Sequence, residues 1–336
     1  MRLLIVGGAG YIGSHMVKML LDCGHDVVTF DNLSTGYRDA VLGGEFIYGD
    51  LADKPLLDKI FSERRFDGVM HFASFIQVGE SVLEPGKYYQ NNFANTLNLL
   101  DAMVEHGASN FIFSSTAAIF GEPQYTPLDE QHPKHPINPY GRSKWMVEQA
   151  LEDYDRAHGL KSVCLRYFNA AGADPSALLG ERHEPETHLI PLVLQVAAGL
   201  RPHIQVYGED YDTPDGTCIR DYIHIVDLCQ AHLLALDKLR QEGSSAAYNL
   251  GNSNGFSVHE VIETARAVTG KDIKVLSAAR RAGDPARLVA ESALSRAALQ
   301  WMPMYADLAT IIEHAWSWEQ RHAHLMAEAR GKNARV

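Results

Sequence analysis

The feature that most constrains this chain is a glycine-rich turn close to its N-terminus. The apolar run Leu3–Val6 predicts a buried strand, and Gly7, Gly10 and Gly13 follow it at G-x-x-G-x-x-G spacing. Apolar residues then recur at helical intervals until Gly24. In a strand–turn–helix context, such glycines let the backbone approach a pyrophosphate, and the helix N-terminus supplies N–H groups. We therefore predict a dinucleotide site rather than a ligand-free turn.

A carboxylate at the end of the second predicted strand indicates which dinucleotide would bind. Val27–Phe30 reads as that strand, and Asp31 follows it, eighteen residues after Gly13. A carboxylate there accepts hydrogen bonds from the ribose hydroxyls and repels a 2′-phosphate. The pattern favours NAD over NADP. Asp50 and Leu51, after the next strand, are predicted to flank the adenine, although an Asp in a turn is common without a ligand.

Strands and helices alternate through the first half of the chain. This alternation predicts a doubly wound parallel sheet with ligands at the carboxyl ends of its strands. The further predicted strands are 45–48, 67–72, 111–113 and 162–167, and a helix is predicted to begin at Asn91.

Tyr140 and Lys144 are four residues apart at the start of a predicted helix. Residues at i and i+4 share a helix face, so the phenol and the ammonium are expected to lie side by side. A free tyrosine titrates near pH 10, and a nearby cation lowers its pKa. A Y-x-x-x-K pair also occurs by chance on helix surfaces, so its functional interpretation depends on the neighbouring motifs.

Composition excludes several classes of protein. The 336 residues carry a net charge of −12, which argues against a nucleic-acid or acidic-membrane surface. No apolar run reaches the roughly 18 residues of a membrane span. The four cysteines lack C-x-x-C spacing, which indicates reduced thiols and a cytoplasmic protein.

The second half has a less regular pattern. Alternation breaks down at Ala170, residues 206–217 read as an acidic turn-rich loop, and YNLG near residue 250 reads as a strand returning to the first sheet. We predict an NAD-binding domain over residues 1–169 with a returning segment near 221–250. Residues 170–336 would form mainly a smaller, interleaved substrate-binding domain. The sixteen histidines show no zinc-ligand spacing, so we expect solvated histidines and no metal site.

Taken together, the motifs GGAGYIG, SSTAAIFG, YGRSK, LRYFNAAGA and GTCIRDYIHIVDL resemble the extended short-chain dehydrogenase/reductase family, and within it the bacterial sugar-nucleotide 4-epimerases. The resemblance runs from Met1 to about Trp318. It implies interconversion of UDP-glucose and UDP-galactose through NAD-mediated oxidation at C4′, rotation of the 4-ketosugar and return of the hydride.

The resemblance also implies roles for individual residues. Tyr140 would be the base, Lys144 would hold the nicotinamide ribose and lower the pKa of Tyr140, and Thr116 would bind the sugar 4′-OH. The implied cofactor-binding residues are Gly7, Gly10, Tyr11, Ile12, Gly13, Asp31, Asn32, Asp50, Leu51, Phe72, Ala73, Asn91, Tyr140, Lys144 and Phe168. The implied substrate-binding residues are Thr116, Asn169, His188, Leu189, Tyr207, Arg220, Arg281, Asp284 and Leu288.

Three positions depart from the family pattern. Ile76 stands where well-known members carry a lysine that contacts the cofactor, which puts tight NAD retention in question. His188 replaces an asparagine of the sugar pocket. Leu288 occupies a position whose size gates N-acetylated sugars, and a leucine there favours the unacetylated pair.

Other functions remain open from the sequence. A 4,6-dehydratase on the same scaffold needs an acid and a base after Thr116, where this chain has Ala117 and Ala118. A non-catalytic NAD-sensing module would not need Tyr140 and Lys144, and a simple keto-reductase or an epimerase of N-acetylated UDP-sugars uses the same residues. Family analogy further implies a homodimer through the helices that begin near Asn91 and Tyr140.

Overall fold

A seven-stranded parallel sheet dominates the computed structural model, which describes residues 1–281 and 284–333. The strands of the described residues are β1 (Arg2–Val6), β2 (Asp26–Asp31), β3 (Glu45–Tyr48), β4 (Gly68–His71), β5 (Asn110–Thr116), β6 (Lys161–Tyr167), β7 (Asn169–Ala171), β8 (Ile204–Tyr207), β9 (Ile219–Arg220), β10 (Tyr222–His224), β11 (Ala246–Leu250), β12 (Phe256–Ser257), β13 (Val275–Ala278) and β14 (Arg287–Leu288). The main sheet has the order β11-β6-β5-β4-β1-β2-β3, and every neighbouring pair is parallel. The predicted doubly wound sheet is confirmed.

Helices connect most of these strands. They are α1 (Tyr11–Asp22), α2 (Lys54–Glu63), α3 (Val78–Leu83), α4 (Pro85–Tyr88), α5 (Asn95–Glu105), α6 (Pro139–His158), α7 (Leu189–Ala197), α8 (Ile225–Glu242), α9 (Val258–Thr269), α10 (Ala293–Leu299) and α11 (Leu308–Asn333). None of the helices in the described residues has both the length and the hydropathy of a membrane span.

Each face of the main sheet is covered by its own group of helices. On one face, α1 and α8 pack buried side chains such as Met16 and Leu228 against Leu3 and Ile5 of β1. On the other face, α2, α5 and α6 pack against the alternate side chains of the same strands. Because both faces are covered, the central strands are almost wholly apolar, as parallel strands require.

Strand order reverses at β1, and this reversal creates a crevice at the carboxyl ends of the strands. The chain leaves β1 towards β2 on one side, while β4 lies on the other side. The turns after β1, β2 and β4 therefore surround one opening. In doubly wound sheets, this is the point at which ligands bind.

A second core lies in the later part of the chain. It joins α7, α9 and α11 through buried residues including Val193, Ile262 and Ile311. Short sheets β10-β7, β12-β9-β14 and β13-β8 accompany these helices. The YNLG segment lies in β11, which pairs with β6 and so returns to the main sheet as expected.

Two boundary predictions are wrong. The helix expected from Asn91 begins earlier, as α4, because Pro85 suits the first turn of a helix, and a π-helical turn over Tyr89–Ala94 links it to α5. The predicted break in alternation near Ala170 is confirmed, since β7 follows β6 without an intervening helix and pairs with β10 outside the main sheet. The loop expected over 206–217 begins inside β8.

Candidate active site

A cleft of about 560 Å³ opens at the carboxyl ends of β1, β2 and β4. Nine of the residues proposed from the sequence line it together: Gly7, Gly10, Asp31, Asn32, Asp50, Leu51, Phe72, Ala73 and Asn91. The structure therefore brings most of the cofactor residues into one site.

The glycine turn serves two different purposes. Gly7 has φ +80°, and a Cβ there would lie 2.5 Å from the Ala73 nitrogen, while a Cβ at Gly13 would lie 2.1 Å from the Gly7 oxygen. These two glycines are needed for backbone packing. A Cβ at Gly10 would have the Gly7 oxygen as its nearest atom, 3.5 Å away, so the side of Gly10 that a Cβ would occupy is open to the cleft.

The first turn of α1 is suited to a phosphate group. Gly10 is the N-cap and offers no side-chain hydrogen bond to the helix, and Tyr11, Ile12 and Gly13 form the first turn. Their N–H groups and the positive end of the helix dipole are available to an anion. The residues present therefore fit the pyrophosphate of a dinucleotide.

Acidic and amide side chains shape the other end of the cleft. Asp31 accepts hydrogen bonds from the Ala9 nitrogen at 2.9 Å and the Leu33 nitrogen at 2.7 Å. Burial raises the pKa of Asp31, and these two bonds oppose the rise. A carboxylate has about four acceptor sites, so Asp31 retains capacity for ribose hydroxyls. Asn32 donates to Asp50 at 2.6 Å, which connects the turns after β2 and β3.

Helix α6 presents Tyr140 at its first turn. The Asn138 side chain caps the helix by accepting from the Gly141 nitrogen at 2.8 Å, and Pro139 occupies the first turn. Thr116, at the end of β5, is buried beside this turn and hydrogen-bonds to the Tyr140 phenol. The hydroxyls of two adjacent elements thus meet at the strand ends.

Lys144 lies one turn further along α6 and is almost completely buried. Its Nζ donates to the Ser74 Oγ and the Ser114 carbonyl oxygen, each at 2.8 Å, and lies over the Phe113 ring. Burial lowers the pKa of Lys144 to about 7, although the Glu148 carboxylate opposes this effect. Ser74 lines the cleft, so the ammonium lies at its inner wall.

The lowered pKa predicted for Tyr140 is wrong for this structure. Burial raises the pKa of Tyr140, and the hydrogen bond from Thr116 opposes that rise. The physical reason is that the Lys144 ammonium is itself buried and directs its hydrogen bonds to Ser74 and Ser114. Burial in a low-dielectric site penalises both charged forms.

Two arginines share one carboxylate on the far side of the site. Arg220 in β9 lies 3.4 Å from Asp284, and Arg281 lies 2.8 Å from the other oxygen of the same carboxylate. The Arg281 guanidinium also lies 5.0 Å from the centre of the Tyr207 ring. The structure therefore groups four of the predicted substrate residues. Paired guanidiniums suit a diphosphate.

A small apolar cluster lies beside Thr116. It consists of Ala117, Ile119, Phe120 and Leu128, and both Phe168 and Leu288 pack against it. Leu288 is in β14, which pairs with β9 next to Arg220. Asn169, directly after Phe168, is held by two hydrogen bonds to the Asp221 carbonyl oxygen, at 3.0 and 3.1 Å.

The prediction of solvated histidines is wrong for His183 and His188, which contact carboxylates, and for the buried His15, His71, His132, His224 and His232. His188 is the N-cap of α7, where Leu189 is the first helical residue, and its Nδ1 is in close contact with Glu181. His183 lies 3.2 Å from Glu181 and 3.5 Å from Glu186. Burial disfavours a charged His183, but the two carboxylates outweigh it and raise its pKa to about 10.

Sequence reasoning missed three residues that support the site. Buried Asn92 bonds to both the nitrogen and the oxygen of Phe75 and to Ser143, so it ties the cleft wall to α6. Ser74 holds Lys144. Glu148 lies one turn after Lys144 and forms a buried ion pair with Arg166. Glu148 was detectable as a third residue at four-residue spacing after Tyr140 and Lys144, whereas Asn92 and Ser74 carry no comparable sequence signal.

Comparison with known proteins agrees with this geometry. Residues 3–251 match the model of the NAD dependent epimerase/dehydratase family. The chain belongs to this family.

Individual relatives narrow the comparison. The UDP-glucose 4-epimerase of Halalkalibacterium halodurans is 51% identical over 96% of this chain and 97% of its own. The structure of the Brucella ovis UDP-glucose 4-epimerase in complex with NAD is 48% identical, with a TM-score of 0.92 over 94% of this chain and 97% of that one. The Bifidobacterium longum enzyme in complex with NAD+ and UDP is 37% identical, with a TM-score of 0.90 over 96% and 98% of the two chains.

Proposed function

We propose that this protein interconverts UDP-glucose and UDP-galactose by inverting the configuration at C4′ of the sugar, with NAD as a retained cofactor. One observation carries the proposal: Tyr140 lies beside Thr116 and one helical turn before Lys144, whose Nζ donates to Ser74 in the wall of the cofactor cleft. The curated relatives with this activity, which cover almost the whole chain, support it.

In the proposed reaction, bound NAD⁺ supplies a hydride acceptor that returns the hydride in the second half of the cycle. Tyr140 takes the 4′-OH proton and later returns it, and Thr116 orients the same hydroxyl. The pKa of Tyr140 is raised by burial, so the proton transfer needs a neighbouring positive charge. Lys144, fixed at the inner wall of the cleft, is the chain's own source of that charge.

Arg220 and Arg281 would hold the diphosphate while the 4-ketosugar rotates. Asp284 now neutralises both guanidiniums, and we propose that it moves to the uridine ribose when the diphosphate takes its place. An anchor on the diphosphate leaves the sugar free to present either face to Tyr140. Leu288, packed on the cluster beside Thr116, would bound the sugar pocket and favour unacetylated sugars.

We also propose how the chain is divided and assembled. Residues 1–169 with the segment near 221–250 would bind the cofactor, and residues 170–336 would supply most of the substrate contacts. A homodimer through α5 and α6 follows from family analogy and can be tested by light scattering with size-exclusion chromatography. The cysteines are free thiols, which supports a cytoplasmic location.

The deciding experiment is a proton NMR time course with UDP-galactose and purified protein, without added cofactor. Formation of UDP-glucose up to an equilibrium mixture, with no net NADH, is expected. Turnover that begins only after NAD is added would retain the activity but contradict cofactor retention, with Ile76 as the first position to examine. No turnover with NAD present would contradict the proposed substrate.

A 4,6-dehydratase would lose water from the sugar and give a 4-keto-6-deoxy product in the same spectra. Ala117 and Ala118 after Thr116 cannot exchange the required protons. The same time course therefore separates the two reactions.

A further inference from the structure

Four potential metal ligands converge in the segment before α7, outside the reacting groups. Glu181, His183, Glu186 and His188 each place one ligand atom so that all four lie within 4.8 Å of one another. Two of the separations are 3.2 Å, between His183 Nδ1 and Glu181 Oε1, and 3.5 Å, between His183 Nδ1 and Glu186 Oε1. His188 Nδ1 is in closer contact with the same Glu181 oxygen.

Two carboxylates that are almost fully buried lie against two histidines in this cluster. The side chains of Glu181 and Glu186 are only 6% and 5% exposed, and within the described residues their ion pairs are all with histidines. Arg182, between them in sequence, turns away to Asp39. Glu319 on α11 lines the same small cavity as Glu181.

One ligand atom in the cluster has no hydrogen bond. His183 Nδ1 is buried and lacks a bond of acceptable geometry, although two carboxylates lie beside it. Buried polar atoms are nearly always paired with good geometry, so this nitrogen is available to a further ligand.

We propose that Glu181, His183, Glu186 and His188 form a binding site for a divalent cation of the zinc class. Two imidazole nitrogens and two carboxylate oxygens are a suitable donor set for such an ion. With bonds of about 2.1 Å, the ligand atoms of a tetrahedral site lie roughly 3.4 Å apart. Two of the measured separations already agree with that value, and the contact between His188 and Glu181 must lengthen.

The ion would fix residues 181–188, which lie between α7 and the first turn of α1. The His183 ring packs edge-on against Tyr11, with ring centres 6.4 Å apart. Arg182 lies 3.8 Å over the Tyr37 ring, next to the wall of the cleft. A cation here would be structural and, because His188 is also an implied substrate-binding residue, would adjoin the sugar pocket. Its affinity is measured without substrate, so failure to bind would leave the proposed activity untouched.

The test is titration of chelator-treated protein with Zn²⁺ in competition with a chromophoric chelator. One tight equivalent per chain is expected. Loss of a partner that only supports a ligand weakens metal affinity about 10–100-fold, so Glu186→Gln and His183→Gln should weaken it at least about tenfold. His106→Gln is the matched control, because it removes one ligand from the exposed cluster of Asp58, Glu105 and His106.

Cobalt provides a readout that does not depend on the variants folding. Co²⁺ bound to the chelator-treated protein without substitutions should give the intense visible absorption of four-coordinate cobalt. Absence of a tight equivalent of Zn²⁺, equal weakening by His106→Gln, or the faint spectrum of six-coordinate Co²⁺ would each overturn the proposal.

Discussion

The cofactor side and the substrate side of the active site are held together in different ways. On the cofactor side, functional side chains bond to the framework: Asp31 to the nitrogens of Ala9 and Leu33, and Lys144 to Ser74 and Ser114. On the substrate side, Arg220, Arg281 and Asp284 bond to one another, and of these Arg220 alone is shown to donate to backbone carbonyls, those of Ile219 and Pro285. The Arg281 side chain is 58% exposed, whereas Lys144 is 3% exposed as a residue.

This difference matches two physical tasks. Hydride and proton transfer need atoms at fixed positions, which a parallel sheet and a capped helix provide. A diphosphate anchor must release its internal ion pairs when ligand arrives, and the pair formed by the exposed Arg281 side chain costs little to break. We therefore expect substitutions on the cofactor side to change turnover or stability, and substitutions on the substrate side to change affinity.

The largest effect is expected for Tyr140→Phe. Loss of a positioned acid or base costs about 10²–10⁴-fold in rate, so kcat should fall by that factor while NAD content stays unchanged. Tyr154→Phe removes a phenol from the same helix and is the control. A near-native kcat for Tyr140→Phe would show that another group transfers the proton.

Glu148→Gln should mainly affect stability. Glu148 is buried and pairs with Arg166 at 2.5 Å, so its loss leaves an unpaired buried guanidinium. Breaking a buried pair in this way costs about 3–5 kcal/mol of unfolding free energy. Glu152→Gln, one turn later on the exposed side of α6, should cost almost nothing. Equal denaturant midpoints for the two variants would contradict a framework role for Glu148.

Glu148→Gln also tests whether the Glu148 carboxylate helps to keep Lys144 charged. Burial lowers the pKa of Lys144 to about 7 from its ordinary value of 10.5, and Glu148 opposes this effect. Without Glu148 the Lys144 ammonium should deprotonate at lower pH, so the alkaline limb of the pH–rate profile should shift to lower pH. Between pH 7 and 10.5 the unfolded chain binds more protons at Lys144, so this group makes wild-type stability rise with pH.

Arg281→Ala should raise KM with little change in kcat. Charge-assisted hydrogen bonds contribute about 1.5–3 kcal/mol each, which corresponds to an affinity loss of roughly 10–100-fold for UDP. Arg280→Ala is the matched neighbour, because Arg280 pairs with Asp210 instead. If kcat fell as much as affinity, Arg281 would contribute to the reaction itself, and the proposed division between a rigid cofactor side and a binding substrate side would be contradicted.

The smallest effect is expected for Leu288→Ala. Removing side-chain volume next to the cluster of Ala117 and Phe120 should admit a larger sugar. Pocket changes of a few methyl groups discriminate by about 1–3 kcal/mol. The ratio of kcat/KM for UDP-N-acetylglucosamine to that for UDP-glucose should therefore rise about tenfold. An unchanged ratio would place the sugar pocket away from Leu288.

Most of the main sheet could be predicted from sequence because its strands alternate with helices and end in recognisable residues. Gly7, Gly13 and Asp31 follow local rules, since each is required by the turn in which it lies. The π-helical turn over Tyr89–Ala94 could not be predicted, because it depends on Asn92 bonding to a distant loop.

The substrate side was predictable only through the family resemblance. Arg220 and Asp284 are 64 residues apart and meet because β14 pairs with β9. Such contacts depend on long-range pairing that no local pattern encodes. The burial of His183 among carboxylates and the raised pKa of Tyr140 likewise follow from packing, which composition and spacing do not show.

Strand β11 has a consequence for how the protein is made. It pairs with β6 at the sheet edge, and α8 just before it covers one face of the sheet. A nascent chain that ends after β6 therefore exposes both an unpaired strand edge and an apolar face until Leu250 has emerged from the ribosome. Exposed edges and faces of this kind favour aggregation and chaperone binding. The cofactor half is thus encoded first but completed late, so its folding is coupled to synthesis of the substrate half.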